Sequence, residues 1–164
     1  MCVRDGGRAA VGRTSSGDYP VWVGWDILGG LGARALDVFQ PSAAFVIHDS
    51  GAGEHAARAR RSLEDAGIET SVYAVPSGEK NKTLNTAADL YRWLAGKRAE
   101  RKHLLVAVGG GMVGDLAGFV AATYLRGIPF AQLPTSLLAT MAASAGGKVA
   151  LDLPHGKNLV GPLH

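Results

Sequence analysis

The chain has 164 residues, 47% of them apolar, and a formal net charge of +3. This length fits one domain with a hydrophobic core, and no apolar run approaches the roughly 18 residues of a membrane-spanning helix. The basic residues form short scattered groups without interleaved aromatic residues, which disfavours nucleic-acid binding. A single cysteine excludes an internal disulfide, and the N-terminus lacks the apolar core of a signal peptide. We therefore expect a soluble, cytoplasmic protein that needs neither a membrane nor a nucleic acid.

The order of the predicted elements indicates an α/β fold. Residues 1–18 are polar and rich in Gly and Ser, which predicts a poorly ordered segment before a domain at 19–164. Strands are predicted at 21–23, 43–47, 70–75, 104–108, 128–133 and 149–151, and helices at 27–36, 54–66, 84–94 and 116–125. Strands that alternate with helices imply βαβ units. We therefore expect a Rossmann-like, mostly parallel sheet with helices on both faces.

Polar loops follow four of the predicted strands, at residues 48–51, 76–82, 109–115 and 134–136. In a parallel sheet the carboxyl ends of the strands lie at one edge, and ligands bind beyond that edge. We therefore expect these four loops to lie close together and to form the ligand site.

The third of these loops is a glycine turn. Residues 109–114 satisfy the pattern G-x-G-x-x-G between a predicted strand and a predicted helix, where backbone N–H groups can meet a phosphate. The ribose-binding acid of the usual dinucleotide pattern is missing, since the next strand ends at residues 134–136 with Pro-Thr-Ser. The alternative is a tight structural turn. Asp115 could equally stabilise the helix dipole or contact a ligand.

The remaining polar motifs also leave two interpretations open. Residues 77–83 could cap the following helix, and Lys148 and Lys157, each beside glycine, are either solvated or positioned to reach an anionic oxygen. The five histidines share no metal-ligand spacing, and no Ser-His-Asp arrangement can be assigned from the sequence.

Taken together, the motifs resemble the 3-dehydroquinate synthase family of sugar-phosphate cyclases. The resemblance runs from about Val21 to His164 and is carried by residues 76–84, 109–127, 134–139, 146–148 and 156–161. Metal-dependent alcohol dehydrogenases share the fold and a glycine turn. The sequences at 114–119 and 146–148 favour the synthase family.

The resemblance implies a chemistry. Family enzymes convert 3-deoxy-D-arabino-heptulosonate 7-phosphate to 3-dehydroquinate and phosphate, a lyase step in the shikimate pathway. Bound NAD oxidises one hydroxyl transiently, which permits β-elimination of phosphate, and then returns the hydride before ring closure. A divalent metal, zinc or cobalt, polarises the oxidised hydroxyl.

The resemblance also implies roles for individual residues. Three are expected to bind substrate: Arg126, Lys148 and Asn158. The residues expected at NAD are Asp49, Ser50, Glu79, Lys80, Asn81, Lys82, Gly110, Gly111, Met112, Asp115, Thr135, Ser136 and Lys157. No catalytic residue is assigned in this half, and the family's metal ligands are expected beyond His164.

Two departures from the family pattern qualify the expected activity. Ala142 stands where the family has an Asp that accepts hydrogen bonds from substrate hydroxyls. The family's C-terminal helical metal-binding domain is absent, so we expect an NAD-binding half without turnover of its own, paired with a missing half or in a homodimer. The alternatives are a cyclase with another phosphorylated sugar substrate and a non-catalytic NAD-binding module.

Overall fold

The computed structural model describes residues 8–14, 17–140 and 149–162. The strands are β1 (Arg8–Thr14), β2 (Gly17–Trp22), β3 (Ala43–Asp49), β4 (Glu69–Val75), β5 (Leu104–Gly109), β6 (Phe130–Pro134), β7 (Leu151–Leu153) and β8 (Gly156–Val160). The α-helices are α1 (Leu31–Val38), α2 (Gly53–Asp65), α3 (Leu84–Gly96) and α4 (Gly111–Thr123). Short 3-10 turns occupy Ile27–Gly30, Ser50–Ala52, Glu79–Asn81 and Tyr124–Arg126.

The central sheet has four parallel strands in the order β4-β3-β5-β6. The chain moves from β3 outward to β4 and then returns to the other side of β3 to form β5. The connections that leave β3 and β5 therefore run to opposite sides. Such a switch point in strand order opens a crevice between the carboxyl ends of the two strands.

Helices cover both faces of this sheet, as the sequence predicts. Alternate residues of β3 enter two separate cores: Phe45 and Ile47 pack in the core that contains residues of α3 and α4, whereas Ala44 and Val46 pack in the core that contains residues of α1 and α2. The central strand β5 is buried along its whole length, as expected for a strand with helices on both sides. This layering leaves the strand ends accessible.

Local sequence explains where two helices begin and end. Thr83 has extended backbone angles and its side chain accepts a hydrogen bond from the Thr86 N–H at 3.2 Å, which caps α3. Helix α2 ends at Asp65, and Gly67 follows with a φ of 81°, a conformation that glycine adopts without strain. The end of α2 near this glycine confirms the predicted helix end.

The structure differs from the predicted elements at three places. Residues 8–14 and 17–22 pair as an antiparallel hairpin, where composition predicts poor order up to residue 18. Helix α4 begins at Gly111, five residues earlier than predicted, because its glycine-rich first turn carries no helical apolar period. The last predicted strand, at 149–151, does not join the central sheet. Leu151–Leu153 instead pairs antiparallel with β8, for which the sequence predicts no strand.

No α-helix within residues 8–14, 17–140 and 149–162 combines the length and the apolar character that crossing a bilayer requires.

Candidate functional site

The four loops predicted to lie together do so at the carboxyl edge of the sheet. The switch point lies between Asp49, the last residue of β3, and Gly109, the last residue of β5. The Thr135 N–H donates to the Gly109 carbonyl at 2.9 Å, which brings the loop after β6 to the same edge. The edge is therefore one continuous surface.

The Asp49 carboxylate joins three of these loops. Its Oδ1 accepts the Gly51 N–H at 2.9 Å and the Ser77 hydroxyl at 3.3 Å, and its Oδ2 accepts the Gly110 N–H at 3.3 Å. The Ser50 and Ser77 hydroxyls are 2.9 Å apart and share a hydrogen bond. Asp49 thus presents a fixed acceptor beside the switch point, the type of group that binds ribose hydroxyls in dinucleotide sites.

The N-terminus of α4 lies at the switch point. By helix geometry the N–H groups of Gly111, Met112 and Val113 have no acceptor within their own helix. Gly110 is the N-cap residue, and no side chain among the described residues caps the helix there. A Cβ atom on Gly110 would lie 3.9 Å from Ser136 Oγ, so the backbone is approachable there. Unpaired helix N–H groups, together with the helix dipole, favour an anionic ligand.

Gly109 shapes this turn. Its φ of 151° is a conformation that side chains rarely adopt, and a Cβ atom would overlap both the Asp49 carboxylate and the Val113 side chain. The glycine is therefore required by the backbone itself, whereas Gly110 next to it has an ordinary φ of −78°.

A second group of polar side chains surrounds the ammonium of Lys82, whose side chain is only 3% exposed. Lys82 Nζ lies 2.7 Å from Asp115 Oδ2, 3.6 Å from Asp152 Oδ1 and 3.7 Å from Glu79 Oε1. It also donates to Asn158 Oδ1. This Lys82 cluster joins the loop after β4, the first turns of α4 and the β7–β8 hairpin.

Three carboxylates around one buried ammonium leave a surplus of negative charge. Burial lowers the pKa of Lys82, but the hydrogen bond and charge of Asp115 and the charges of Glu79 and Asp152 outweigh it, so the pKa is raised. Burial also raises the pKa of Asp115, and Glu79 and Asp152 add to this against the opposing effect of Lys82. The two raised pKa values agree with this arrangement. Lys82 has three carboxylates near its ammonium, whereas each carboxylate shares that one ammonium with two others.

Most of the predicted NAD contacts are at this edge, with different local roles. The Asn81 amide donates to the carbonyls of Pro76, Ser77 and Gly78 at 2.8 to 3.3 Å, so its donors hold the loop. The partly buried Met112 side chain packs against the core. Lys80 is exposed within the short turn after Gly78.

The remaining contacts lie on the outer part of the edge. Lys157 is 73% exposed at its side chain and lies 3.7 Å from Glu79 Oε1, so it can move toward an anion. The Ser136 hydroxyl accepts the Ala139 N–H at 3.3 Å. Together with Thr135, it borders the turn at Gly110.

Of the two predicted substrate contacts that the structure describes, Asn158 lies in this site and Arg126 does not. Arg126 follows the C-terminal end of α4, about 20 Å along the helix from Gly111 at about 1.5 Å per residue. One copy of the chain therefore does not bring Arg126 to the cluster. Lys148, like Ala142, lies outside the described residues.

Two residues of the site were not singled out from the sequence. Ser77 enters the sequence analysis only within the possible capping motif at residues 77–83, and the sequence assigns no role to Asp152. The position of Ser77 directly after a strand was a usable signal, because all four such loops converge. No local sequence signal identified Asp152, which reaches Lys82 through long-range pairing. Among the described residues, no group of three or more His, Cys, Asp or Glu side chains is arranged to hold a metal ion.

The family profile described as 3-dehydroquinate synthase N-terminal matches residues 72–164. The 3-dehydroquinate synthase of Symbiobacterium thermophilum is 47% identical over 148 residues, which cover 89% of this chain and 41% of that protein.

Two crystal structures of 2-deoxy-scyllo-inosose synthase are similar to the fold. One, in complex with carbaglucose-6-phosphate, NAD+ and Co2+, has a TM-score of 0.73 and 32% identity and covers 76% of this chain and 34% of that one. The other has a TM-score of 0.76 and 30% identity, with coverage of 82% and 39%.

The chain spans about two fifths of the length of the curated relative from Symbiobacterium thermophilum. The profile match extends over more than half of the chain and includes the glycine turn, the Lys82 loop and the β7–β8 hairpin. The chain belongs to the 3-dehydroquinate synthase family.

Proposed function

We propose that this chain binds NAD at the carboxyl edge of its sheet, as part of a 3-dehydroquinate synthase. The observation that carries the proposal is the open N-terminus of α4 at the switch point, with Gly110 approachable and the Asp49 carboxylate beside it. Anionic groups bind at such helix ends, and a carboxylate beside the strand ends accepts hydrogen bonds from ribose. The solved relative that contains NAD+ supports the same ligand class.

The residues present fit such a nucleotide. The N–H groups of Gly111 and Met112 would hold the pyrophosphate, and Asp49 with Ser50 would contact the adenosine part. Thr135 and Ser136 would border the pyrophosphate on the β6 side. Lys157 would approach the nucleotide from the β7–β8 hairpin, since its exposed side chain can change conformation. NAD, when bound, supplies a reversible hydride acceptor.

The Lys82 cluster would lie next to the part of NAD that reacts with the substrate. Its carboxylates provide acceptors for neutral hydroxyl groups, and Lys82 reduces the repulsion that these carboxylates exert on an anionic ligand. The raised pKa of Lys82 holds its ammonium charged at neutral pH. Asn158 would contact the substrate through its amide, as the family pattern implies.

The substrate class is a phosphorylated keto-acid sugar. The chain spans 41% of the length of its relative, and we expect turnover to use residues of the remaining part as well. A zinc or cobalt ion would take its ligands from such residues. They would come from the rest of a full-length enzyme or from a second copy of the chain, and they would form the opposite wall of the site.

Calorimetric titration of the purified chain with NAD+ tests the proposal. We expect saturable binding with a dissociation constant of about 1 mM or below, or at least about 4 kcal/mol of binding free energy. Absence of heat at millimolar NAD+ would contradict NAD binding and favour a structural module. The chain alone should release no phosphate from the heptulosonate phosphate. Measurable release would show that turnover does not require residues from outside this chain.

A second candidate is a sugar-phosphate cyclase that acts on a different substrate. Ala142 favours it, because an alanine side chain cannot accept hydrogen bonds from substrate hydroxyls. The likeness to 2-deoxy-scyllo-inosose synthase at 32% identity shows that related folds serve other cyclases.

Restoring the carboxylate separates the two candidates. We expect Ala142→Asp, in a fusion with the remaining part of the Symbiobacterium thermophilum relative, to raise dehydroquinate formation at least about tenfold over the unmodified fusion, since a charge-assisted hydrogen bond contributes about 1.5–3 kcal/mol. Phosphate release and dehydroquinate are both measured. A folded fusion that shows no gain would favour another substrate.

A further inference from the structure

We propose that Asp152 is a positioning residue that holds Asn158 and the β7–β8 hairpin against Lys82. The geometry begins with an irregularity in the hairpin. Leu151 pairs with Val160 and Leu153 pairs with Gly156, so the single residue Asp152 lies opposite three residues of β8. A β-bulge of this kind takes the extra residues out of the regular ladder and redirects their side chains.

Asn158 is the middle residue of this bulge and has a φ of 54°. A positive φ is unfavourable for most residues, although Asn tolerates it better than others. The Asn158 N–H donates to Asp152 Oδ1 at 2.8 Å, and this bond provides the support that the ladder does not. The bond fixes Asn158 so that its side-chain oxygen accepts from Lys82 Nζ.

Asp152 also ties the hairpin to the loop after β4. Its backbone N–H donates to the Lys82 carbonyl at 3.0 Å, and its Oδ1 lies 3.6 Å from Lys82 Nζ. The side chain is 16% exposed, so these contacts are partly shielded from water. One residue therefore connects the backbone of Lys82, the ammonium of Lys82 and the backbone of Asn158.

The hydrogen-bonding oxygen, more than the charge, performs this role. Asp115 already gives Lys82 a carboxylate at 2.7 Å, whereas the Asn158 N–H has Asp152 as its acceptor. An amide oxygen at position 152 could accept the same N–H. Asp152→Asn and Asp152→Ala change the net charge equally and differ in whether an acceptor remains, so the pair separates the two effects.

The first experiment measures amide hydrogen exchange in the ligand-free chain and does not depend on NAD. The Asn158 amide should exchange at least about tenfold faster in Asp152→Ala than in the unmodified chain, and within about threefold of it in Asp152→Asn. Asp89→Ala, which removes an exposed carboxylate on α3, controls for the charge change. Unchanged Asn158 exchange in Asp152→Ala, or equally fast exchange in both Asp152 variants, would overturn the proposal.

The second experiment measures the consequence for ligand binding and rests on the proposed function. NAD+ affinity should fall about fivefold to tenfold in Asp152→Ala and be retained in Asp152→Asn, with thermal unfolding recorded for both. If the unmodified chain binds no NAD+, the proposed function fails while the exchange result still decides the role of Asp152. If the chain binds NAD+ and Asp152→Ala binds it equally well, the hairpin position does not serve the nucleotide and that part of the proposal is wrong.

Discussion

Replacement of Lys82 by Met is expected to lower the free energy of unfolding by about 3 kcal/mol, because it removes a buried cation that three carboxylates surround. Asp115, 20% exposed at its side chain, would lose its nearest counter-charge at a site that is partly shielded from water. For a chain of this size we expect the midpoint of thermal unfolding to fall by roughly 10 °C. Calorimetric or circular-dichroism melting measures the change.

Lys157→Met is the matched control. Lys157 also lies 3.7 Å from Glu79 Oε1, but its side chain is 73% exposed. We expect that variant to change stability by less than about 0.5 kcal/mol, as is usual for exposed ion pairs. Equal melting of the two variants would show that the Lys82 cluster contributes no more than a surface pair.

The same cluster sets an alkaline limit to stability. Because the pKa of Lys82 is raised above its ordinary value of 10.5, its stabilisation is fully present below pH 10.5 and is lost as the pH rises through the higher pKa of the folded chain. The free energy of unfolding of the unmodified chain should therefore fall as the pH rises above 10.5. Its difference from that of Lys82→Met should become smaller over the same range. A constant difference across that range would contradict the assigned charge state of Lys82.

Gly109→Ala is expected to cost about 3 kcal/mol of stability and to abolish measurable NAD+ binding, because its Cβ would displace the side chains of Asp49 and Val113. The φ of 151° at this residue adds backbone strain for any side chain. Moving Asp49 releases the loops after β3 and β4 from the first turn of α4. Thermal unfolding and NAD+ titration measure the two effects.

Gly110→Ala separates the backbone requirement from the ligand requirement. Gly110 has an ordinary φ, and its added Cβ would come no closer than 3.9 Å to Ser136 Oγ. We expect it to change stability by about 1 kcal/mol or less, as at other helix N-caps, and to weaken NAD+ binding by crowding the pyrophosphate. Equal NAD+ affinity of Gly110→Ala and the unmodified chain would contradict pyrophosphate binding at the glycine turn.

The convergence of the four loops could be predicted from the sequence, because alternating strands and helices put every strand end on one edge. The glycine turn could be predicted from its G-x-G-x-x-G pattern between a strand and a helix. The distance of Arg126 from this edge follows from helix geometry as well, since α4 carries the chain back toward the other edge of the sheet. The family resemblance alone had grouped Arg126 with the other site residues.

The Lys82 cluster could not be predicted from local patterns. Lys82 looks like an ordinary loop lysine in the sequence, and its burial depends on Asp115, which follows it by 33 positions, and on a hairpin about 70 residues away. The bulge that places Asn158 beside Lys82 arises from strand pairing, which the short strands β7 and β8 do not signal. Long-range contacts of this kind decide which polar residues share a site.

A residue-resolved NMR titration of the chain with NAD+ tests nucleotide binding at the switch point most directly. We predict saturable shifts of the backbone amides of Gly110, Gly111, Met112 and Ser136, with half-saturation at about 1 mM or below, and no shift at Arg126. Absence of shifts at millimolar NAD+, or shifts centred on Arg126 with none at the glycine turn, would contradict the assignment of this edge as the NAD site.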